Sequence, residues 1–284
     1  MTTDLNDYFS YKYLDSEFTE EQIKKNFDSL SQKFSGFAKK WDITLNSQWV
    51  LRDYLAVKMI LSSSVMISSV EFANEKNIRI VEPYLIYYSL LNCSRAVLLT
   101  SPNVEWKNGE LFQMTHKKMI NIIGDIISNY SKEKGKKLKE FIDWAREFRE
   151  IFSYKFPANG LNKLHLSIEK CIVICRLLCE IAQFQSKILE NSITKHVQSE
   201  FCLDWEILTV GYIYGKENFQ FVDDEDGYRL DYIKRKQKRP YSLHSTMTEG
   251  MVEDFFGAWY PKDDSNLEKV YNPDENWQII FPVP

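Results

Sequence analysis

Apolar residues along the first 200 positions recur at the spacing of α-helices. Thr19 begins a capping box, and the apolar residues of segment 23–41 follow at intervals of three and four, which predicts a helix with one buried face. Segment 47–75, preceded by the N-cap residue Asn46, and segment 82–100 are apolar on nearly every side, as expected for helices surrounded by neighbours. Further helices are predicted over 115–130, 138–154 and 161–190, the last being the longest.

The hydrophobic pattern changes past residue 200. Tyr228, Leu230 and Tyr232 alternate with charged residues, which is the period of a β-strand. The turn-rich segment 223–227 separates them from the apolar residues of segment 219–221. Together these segments predict a β-hairpin.

The composition favours a mostly α protein. Only 10 Gly and 8 Pro occur among 284 residues, so few positions interrupt regular structure, which favours long helices and argues against an all-β sandwich. We therefore expect a helical bundle over residues 1–200. Residues 201–284 should form an α+β extension packed on the bundle, with the small hairpin and a short helix over 248–259.

The charge balance and the first residues narrow the functional classes. The 36 Lys and Arg residues against 40 Asp and Glu residues give a formal charge of -4, so bulk charge predicts neither a nucleic-acid nor a membrane partner. The first ten residues lack the pattern of a secretory signal, and no stretch of 18 apolar residues follows. Five cysteines without an export signal are typical of reduced thiols. These features predict a cytoplasmic protein without a membrane partner.

Several motifs of enzymes and metal sites are absent. The chain has no GxGxxG, HExxH or GxSxG, so neither a cofactor nor a metal is predicted. Cys171, Cys175 and Cys179 recur every four residues, which could place thiols around a soft metal, but packing in a helix core is the favoured interpretation. The acidic segment 223–227 lacks the alternating ligands of a calcium loop, so a solvated turn is favoured there.

A basic strip over residues 234–239 is the clearest indication of nucleic-acid binding. It packs five positive charges into six residues between Tyr232 and Tyr241, so it could hold a phosphate backbone with rings available for stacking. An equally favoured alternative is a solvated strand end whose positive charges balance those of the preceding acidic segment. The charged residues are Lys234, Arg235, Lys236, Lys238 and Arg239.

Three polar residues share one stripe of the helix predicted over 82–100. Tyr88, Asn92 and Arg95 stand at i, i+4 and i+7, on one face of an otherwise apolar helix. The charge of Arg95 requires a partner there. Either a core carboxylate pairs with it, or it faces a pocket and binds an anion such as a phosphate.

His116 is the second candidate element. It follows the predicted N-cap Thr115, so it occupies the first turn of a helix, where the helix dipole favours the neutral imidazole. A neutral histidine near Arg95 could act as a base. The alternative is an exposed histidine at a helix start, beside two lysines.

Two of these segments carry a family resemblance. EPYLIYYSLLNCSRAVLLTSP over 82–102, with MTHKKM over 114–119, resembles the central helices of HEPN-like proteins and more narrowly the YaaC-like bacterial proteins. FFGAWYP over 255–261 resembles the aromatic helix end near the YaaC-like C-terminus. The resemblance implies a helical bundle that dimerises, with a role in RNA cleavage or in bacterial defence against phage.

The resemblance also implies a chemistry, from which this sequence departs. In nuclease members of the HEPN group, Arg and His stand four to six residues apart, the His transferring a proton at the ribose 2′-OH and the Arg stabilising phosphate charge without a metal. Arg95 and His116 stand 21 positions apart, so the usual motif is absent. The two could still converge across a helix-loop-helix, which leaves ribonuclease activity open.

We therefore expect an RNA- or nucleotide-binding HEPN-like protein of a bacterial anti-phage defence or stress-response system. Tyr88, Asn92, Arg95 and His116 would line the site, and the basic strip would add phosphate contacts. The alternative is a non-catalytic interaction subunit, since seven Trp, 16 Tyr and 18 Phe would suit a surface that binds a partner protein or a second copy. A weaker hypothesis is a metal-dependent nuclease that uses the carboxylates of segment 223–231 with Lys234.

Overall fold

The protein is mostly α-helical, as the sequence predicts. The computed structural model describes residues 9–161, 166–216, 219–261 and 270–282. Within these ranges the chain forms eleven α-helices and one two-stranded antiparallel sheet. In chain order the elements are α1 (Lys12–Glu17), α2 (Glu20–Ala38), α3 (Ile43–Glu75), α4 (Glu82–Thr100), α5 (His116–Ser128), α6 (Lys132–Tyr154), α7 (Ile168–His196), α8 (Trp205–Leu208), β1 (Ile213–Lys216), β2 (Phe219–Val222), α9 (Asp224–Lys236), α10 (Leu243–Thr246) and α11 (Glu249–Gly257).

The central helix is α3, which packs against α4, α7 and the later helices α8, α10 and α11. It is apolar on nearly all sides and buries residues along its whole length. By length and composition it could cross a membrane, but more than half of its most apolar part is buried inside the molecule, which is compatible with a soluble protein. With 33 residues it is longer than α7, which has 29, so the prediction that the segment from 161 holds the longest helix is wrong.

Side-chain caps set the helix starts. Thr19 and Gln22 form the predicted capping box of α2. The start predicted for α3 is wrong, because Asp42 accepts from the Leu45 N–H at 2.7 Å and begins the helix four residues before Ser47. The helix predicted from 161 begins at Ile168, and residues 162–165 lie outside the described residues.

The C-terminal end of α4 is fixed by a buried arginine of α3. Arg52 donates to the carbonyl oxygens of Leu99 at 2.6 Å, Ser101 at 2.8 Å and Leu98 at 3.3 Å. Apart from Arg52, the Leu98 carbonyl accepts from the Ser101 N–H at 3.3 Å and the Ser101 carbonyl from the Val104 N–H at 3.4 Å. The helix dipole favours a cation beside these oxygens. Arg52 therefore fixes the register of α3 against α4.

A close approach between two glycines brings α5 against α6. A Cβ at Gly135 would lie 2.1 Å from the Ser128 Oγ and 2.6 Å from the Gly124 carbonyl oxygen. Ser128 itself donates to that carbonyl at 2.7 Å. Because no larger residue fits at 135, this contact sets the position of the start of α6 relative to the C-terminal end of α5.

The predicted hairpin exists, but its strands are not the predicted ones. Ile213–Lys216 pairs with Phe219–Val222, and the residues after Asp223 form helix α9 instead of the second strand. The Asp223 side chain accepts from the Asp226 N–H, and acidic residues of the first turn and basic residues of the last turn complement the helix dipole. These end effects outweigh the short alternation of Tyr228, Leu230 and Tyr232.

Candidate anion-binding site

His116 and Tyr87 form the centre of a polar cluster where α4, α5 and α6 meet. The Thr115 hydroxyl accepts from the Lys118 N–H at 3.4 Å and caps α5, which makes His116 its first residue. The His116 Nδ1 lies 2.8 Å from the hydroxyl oxygen of buried Tyr87, and the Tyr88 ring stands edge-on at 6.4 Å from the imidazole. This is the one hydrogen bond of His116 within the described chain, so its Nε2 is available to a ligand.

Arg95 lies in this cluster without a carboxylate. Its Nη1 donates to the Asn92 Oδ1 at 3.1 Å, and Asn92 donates in turn to the Ser62 hydroxyl at 3.1 Å. The Arg95 Nε is buried and has no hydrogen-bond partner in the described chain. Arg95 also forms no ion pair within residues 9–161, 166–216, 219–261 and 270–282. Of the two partners expected for Arg95, a core carboxylate is therefore not found in the described chain.

Two arginines of α6 complete the cluster. The Arg149 guanidinium lies 5.2 Å from the Tyr87 ring centre and 6.0 Å from that of Tyr88. Arg146 contacts the Asp143 carboxylate at 3.0 Å, and both arginines contact Glu150, at 3.4 Å and 3.3 Å. The arginine–histidine cluster consists of Tyr87, Arg95, His116, Arg146 and Arg149.

The charges of this cluster hold His116 neutral. Burial lowers the pKa of His116 below its usual value, and Arg95, Arg149 and Arg146 lower it further against an opposite effect of Glu150. Burial likewise lowers the pKa of Arg95, and it raises the pKa of Tyr87 to about 12. The sequence argument attributed a neutral imidazole to the helix dipole, whereas burial and the arginines are the larger causes here.

This arrangement has the chemistry of an anion site with a base. Guanidinium groups with spare donors bind phosphate oxygens in a fork geometry. A neutral imidazole held by one nitrogen can accept or donate a proton through the other, depending on its tautomer. The sequence reasoning missed Tyr87, Arg146 and Arg149. The sequence shows Arg146 and Arg149 three residues apart on a predicted helix, but it does not show where that helix lies.

The basic strip lies at another part of the molecule. The Asn46 Nδ2 donates to the Lys238 carbonyl oxygen at 3.0 Å, which places the strip at the start of α3. Asn92, the partner of Arg95, contacts α3 at Ser62. Ser62 comes sixteen residues after Asn46, which corresponds to about 24 Å along the helix. The structure therefore does not bring the basic strip to the arginine–histidine cluster.

The strip follows the C-terminal end of a helix, so its interpretation as a strand end is wrong. Lys234, Arg235 and Lys236 form the last turn of α9, and Lys238 and Arg239 lie beyond it. The Lys234 ammonium stands 5.2 Å from the Trp205 ring centre, and Arg235 pairs with the Asp231 carboxylate at 3.0 Å.

The acidic residues before the strip already have protein partners. Buried Asp226 accepts from the Tyr54 hydroxyl at 2.6 Å and the Tyr214 hydroxyl at 2.7 Å, and it forms an ion pair with Lys58. Asp223 caps α9. The prediction of a solvated turn is wrong here, since these residues begin a helix. Within the described residues, no three His, Cys, Asp or Glu side chains are placed to hold a metal ion.

The cysteines of α7 pack in the core. Cys171, Cys175 and Cys179 are buried, and the Cys93 Sγ of α4 lies 3.6 Å from that of Cys179. The Sγ atoms of Cys171 and Cys175 are 4.0 Å apart. These thiols lie in the α4–α7 contact, and no three of the described His, Cys, Asp or Glu side chains are placed to hold a metal ion, in line with the packing that the sequence favoured.

Comparison with family models, curated proteins and solved structures finds no match for this chain.

Proposed function

We propose that the protein binds RNA or a nucleotide-like anion at the arginine–histidine cluster. The observation that supports this proposal is the half-buried Arg95, whose buried Nε has no partner within the described chain and whose guanidinium has, among the described residues, only the Asn92 amide as acceptor. A buried cation without a counter-ion is costly, and an anionic ligand would remove that cost. Arg149, beside the rings of Tyr87 and Tyr88, would add a second donor group.

Metal-independent RNA cleavage is the reaction that this cluster would best perform. A neutral His116 would take the proton of a ribose 2′-OH as its oxygen attacks the phosphorus, and Arg95 would stabilise the charge that develops on the phosphate. The bond from phosphorus to the 5′-oxygen would break, and the protonated His116 would return its proton to that oxygen. The resemblance to HEPN-like and YaaC-like proteins implies a homodimer in bacterial anti-phage defence or stress response, but Arg95 and His116 lack the spacing of the nuclease members. The first residues and the cysteines favour a cytoplasmic protein. Whether the site cleaves or only binds is decided by experiment.

The test incubates the purified protein with total RNA and a defined tRNA in EDTA, beside the variants His116→Ala and Arg95→Met. Cleavage by the wild type that both variants lose would support catalysis at the cluster. Salt-sensitive RNA binding without cleavage, lost in Arg95→Met alone, would support a binding site. Cleavage that both variants retain, or phosphate binding at His116 that Arg95→Met retains, would contradict the proposal. Molar mass in solution, from light scattering, tests the dimer.

A second candidate function is that of a non-catalytic interaction subunit. It is favoured by an exposed apolar surface, in which Phe219 is 77% exposed, Phe221 54% and Tyr228 59%. Exposed aromatic residues of this kind are typical of protein interfaces. A stable complex with another protein that Phe219→Ser disrupts, and that Arg95→Met does not, would favour this function.

A further inference from the structure

A polar pocket of about 300 Å³ lies beside the second half of the basic strip. It opens between the residues before α3, the C-terminal end of α7 and the segment that follows α9. Its volume is at the lower end of the range of ligand sites. It is lined by Trp41, Asn46, Ile193, Val197, Gln198, Ser199, Glu200, Phe201, Lys238, Arg239 and Tyr241.

A single buried amide holds two walls of this pocket in place. The Asn46 Oδ1 accepts from the Trp41 Nε1 at 3.1 Å, and its Nδ2 donates to the Lys238 carbonyl oxygen at 3.0 Å. Asn46 has no exposed surface, so both bonds are protected from water. The indole of Trp41 and the backbone at Lys238 are therefore fixed relative to each other before any ligand binds.

The pocket combines aromatic rings with positive charge. The Arg239 guanidinium lies 5.9 Å from the Tyr241 ring centre, in the range of a cation–π contact. Lys238 and Arg239 face one carboxylate, that of Glu200, in the lining. Neither basic residue forms an ion pair in the part of the chain that the structure describes.

We propose that this pocket holds one nucleotide unit, with the base against Trp41 or Tyr241 and the phosphate at Lys238 and Arg239. Aromatic rings stack on any base, and the amide and hydroxyl groups of Gln198 and Ser199 can bond the base edge. The proposal goes beyond the proposed function, since it assigns a nucleotide to the strip at a site separate from the arginine–histidine cluster. The unit is either a free nucleotide or an unpaired residue of single-stranded RNA.

The experiment measures binding of AMP, adenosine, inorganic phosphate and a single-stranded hexa-adenylate RNA by calorimetry. We expect AMP to bind at least about tenfold more tightly than adenosine or phosphate, because base stacking and phosphate contacts act together. The double variant Lys238→Ala/Arg239→Ala should lose about tenfold or more of the AMP affinity. The matched variant Lys234→Ala/Arg235→Ala removes the same charge from the strip outside the pocket and should change it less than about twofold.

A third variant, Tyr241→Leu, tests the aromatic wall and should weaken AMP more than phosphate. Hexa-adenylate that binds about tenfold more tightly than AMP and loses that affinity with Lys238→Ala/Arg239→Ala identifies RNA as the source of the nucleotide. Equal or weaker binding of the RNA identifies a free nucleotide.

Two results would overturn the inference. If the AMP affinity were unchanged in Lys238→Ala/Arg239→Ala but lost in Arg95→Met, AMP would bind at the arginine–histidine cluster and not in the pocket. No AMP binding, with phosphate still bound at His116, would refute the pocket and leave the proposed function standing. Circular dichroism of each variant excludes loss of the fold as the cause.

Discussion

Buried Arg52 and half-buried Arg95 differ in what surrounds their charge. Arg52 donates to three carbonyl oxygens at the end of α4, at 2.6, 2.8 and 3.3 Å. Arg95 donates to one amide oxygen, that of Asn92, and its Nε has no partner within the described chain. We predict that replacing each by Met has different consequences, because Arg52 supports the fold through three bonds whereas Arg95 has one acceptor in the described chain.

The magnitudes follow from the hydrogen bonds that each substitution removes. A bond to a charged group contributes about 1.5–3 kcal/mol, so Arg52→Met, which removes three such bonds, should lower the free energy of unfolding by at least about 3 kcal/mol. Arg95→Met loses one such bond but also removes a poorly compensated cation, and apolar replacements of buried ions are often neutral or stabilising by about 1–4 kcal/mol. We expect its unfolding free energy to stay within about 1 kcal/mol of the wild type or to rise.

Denaturation by guanidinium chloride at pH 7, monitored by far-UV circular dichroism, measures the free energy of unfolding of each variant. Phosphate binding by calorimetry should be lost in Arg95→Met while the fold is kept, as expected when a functional residue is held at a cost in stability. If Arg95→Met lost more than about 2 kcal/mol, Arg95 would be a structural residue and the argument for an anion site would fail.

Three further predictions concern single residues. The imidazole of His116 should titrate below pH 6.5 in NMR spectra, and its pKa should rise on addition of phosphate, because the anion offsets the arginines; an unchanged pKa would contradict binding there. Burial raises the pKa of Asp53, whose carboxylate oxygens have no partner in the described chain. The free energy of unfolding of the wild type should therefore fall as the pH rises above about 4. Asp53→Asn should remove the part of this pH dependence that Asp53 causes and should be more stable at pH 7. Gly135→Ala should lower the melting temperature by several degrees, since its Cβ would clash with Ser128, and an unchanged value would refute the close approach of α5 and α6.

Where local chemistry decides the structure, the sequence was sufficient. The capping box at Thr19 and the N-cap at Thr115 begin their helices as predicted, because a hydroxyl satisfies nearby N–H groups without help from distant residues. The segment after Asp223 shows the limit of this reasoning. Three alternating residues favour a strand, but a cap and complementary end charges stabilise a helix, and Leu230 and Ile233 then pack on one buried face.

The candidate site could be predicted only in part. The spacing of Tyr88, Asn92 and Arg95 places them on one face of α4, and the observed bond between Arg95 and Asn92 agrees with that. The spacing selects Tyr88 and not Tyr87. The packing of the neighbouring helices decides which hydroxyl bonds to His116, and in the structure it is that of Tyr87.

The sequence alone determined the helical class, most helix positions and the polar stripe of α4, since these depend on the period of apolar residues and on local caps. Only the tertiary structure decided which charges have partners. Arg146 and Arg149 lie beside His116 because Gly135 lets α6 approach α5, and the basic strip lies about 24 Å away along α3. The neutrality of His116 and the isolation of Arg95 arise from burial and from contacts between helices far apart in the chain, and neither is encoded in a local pattern.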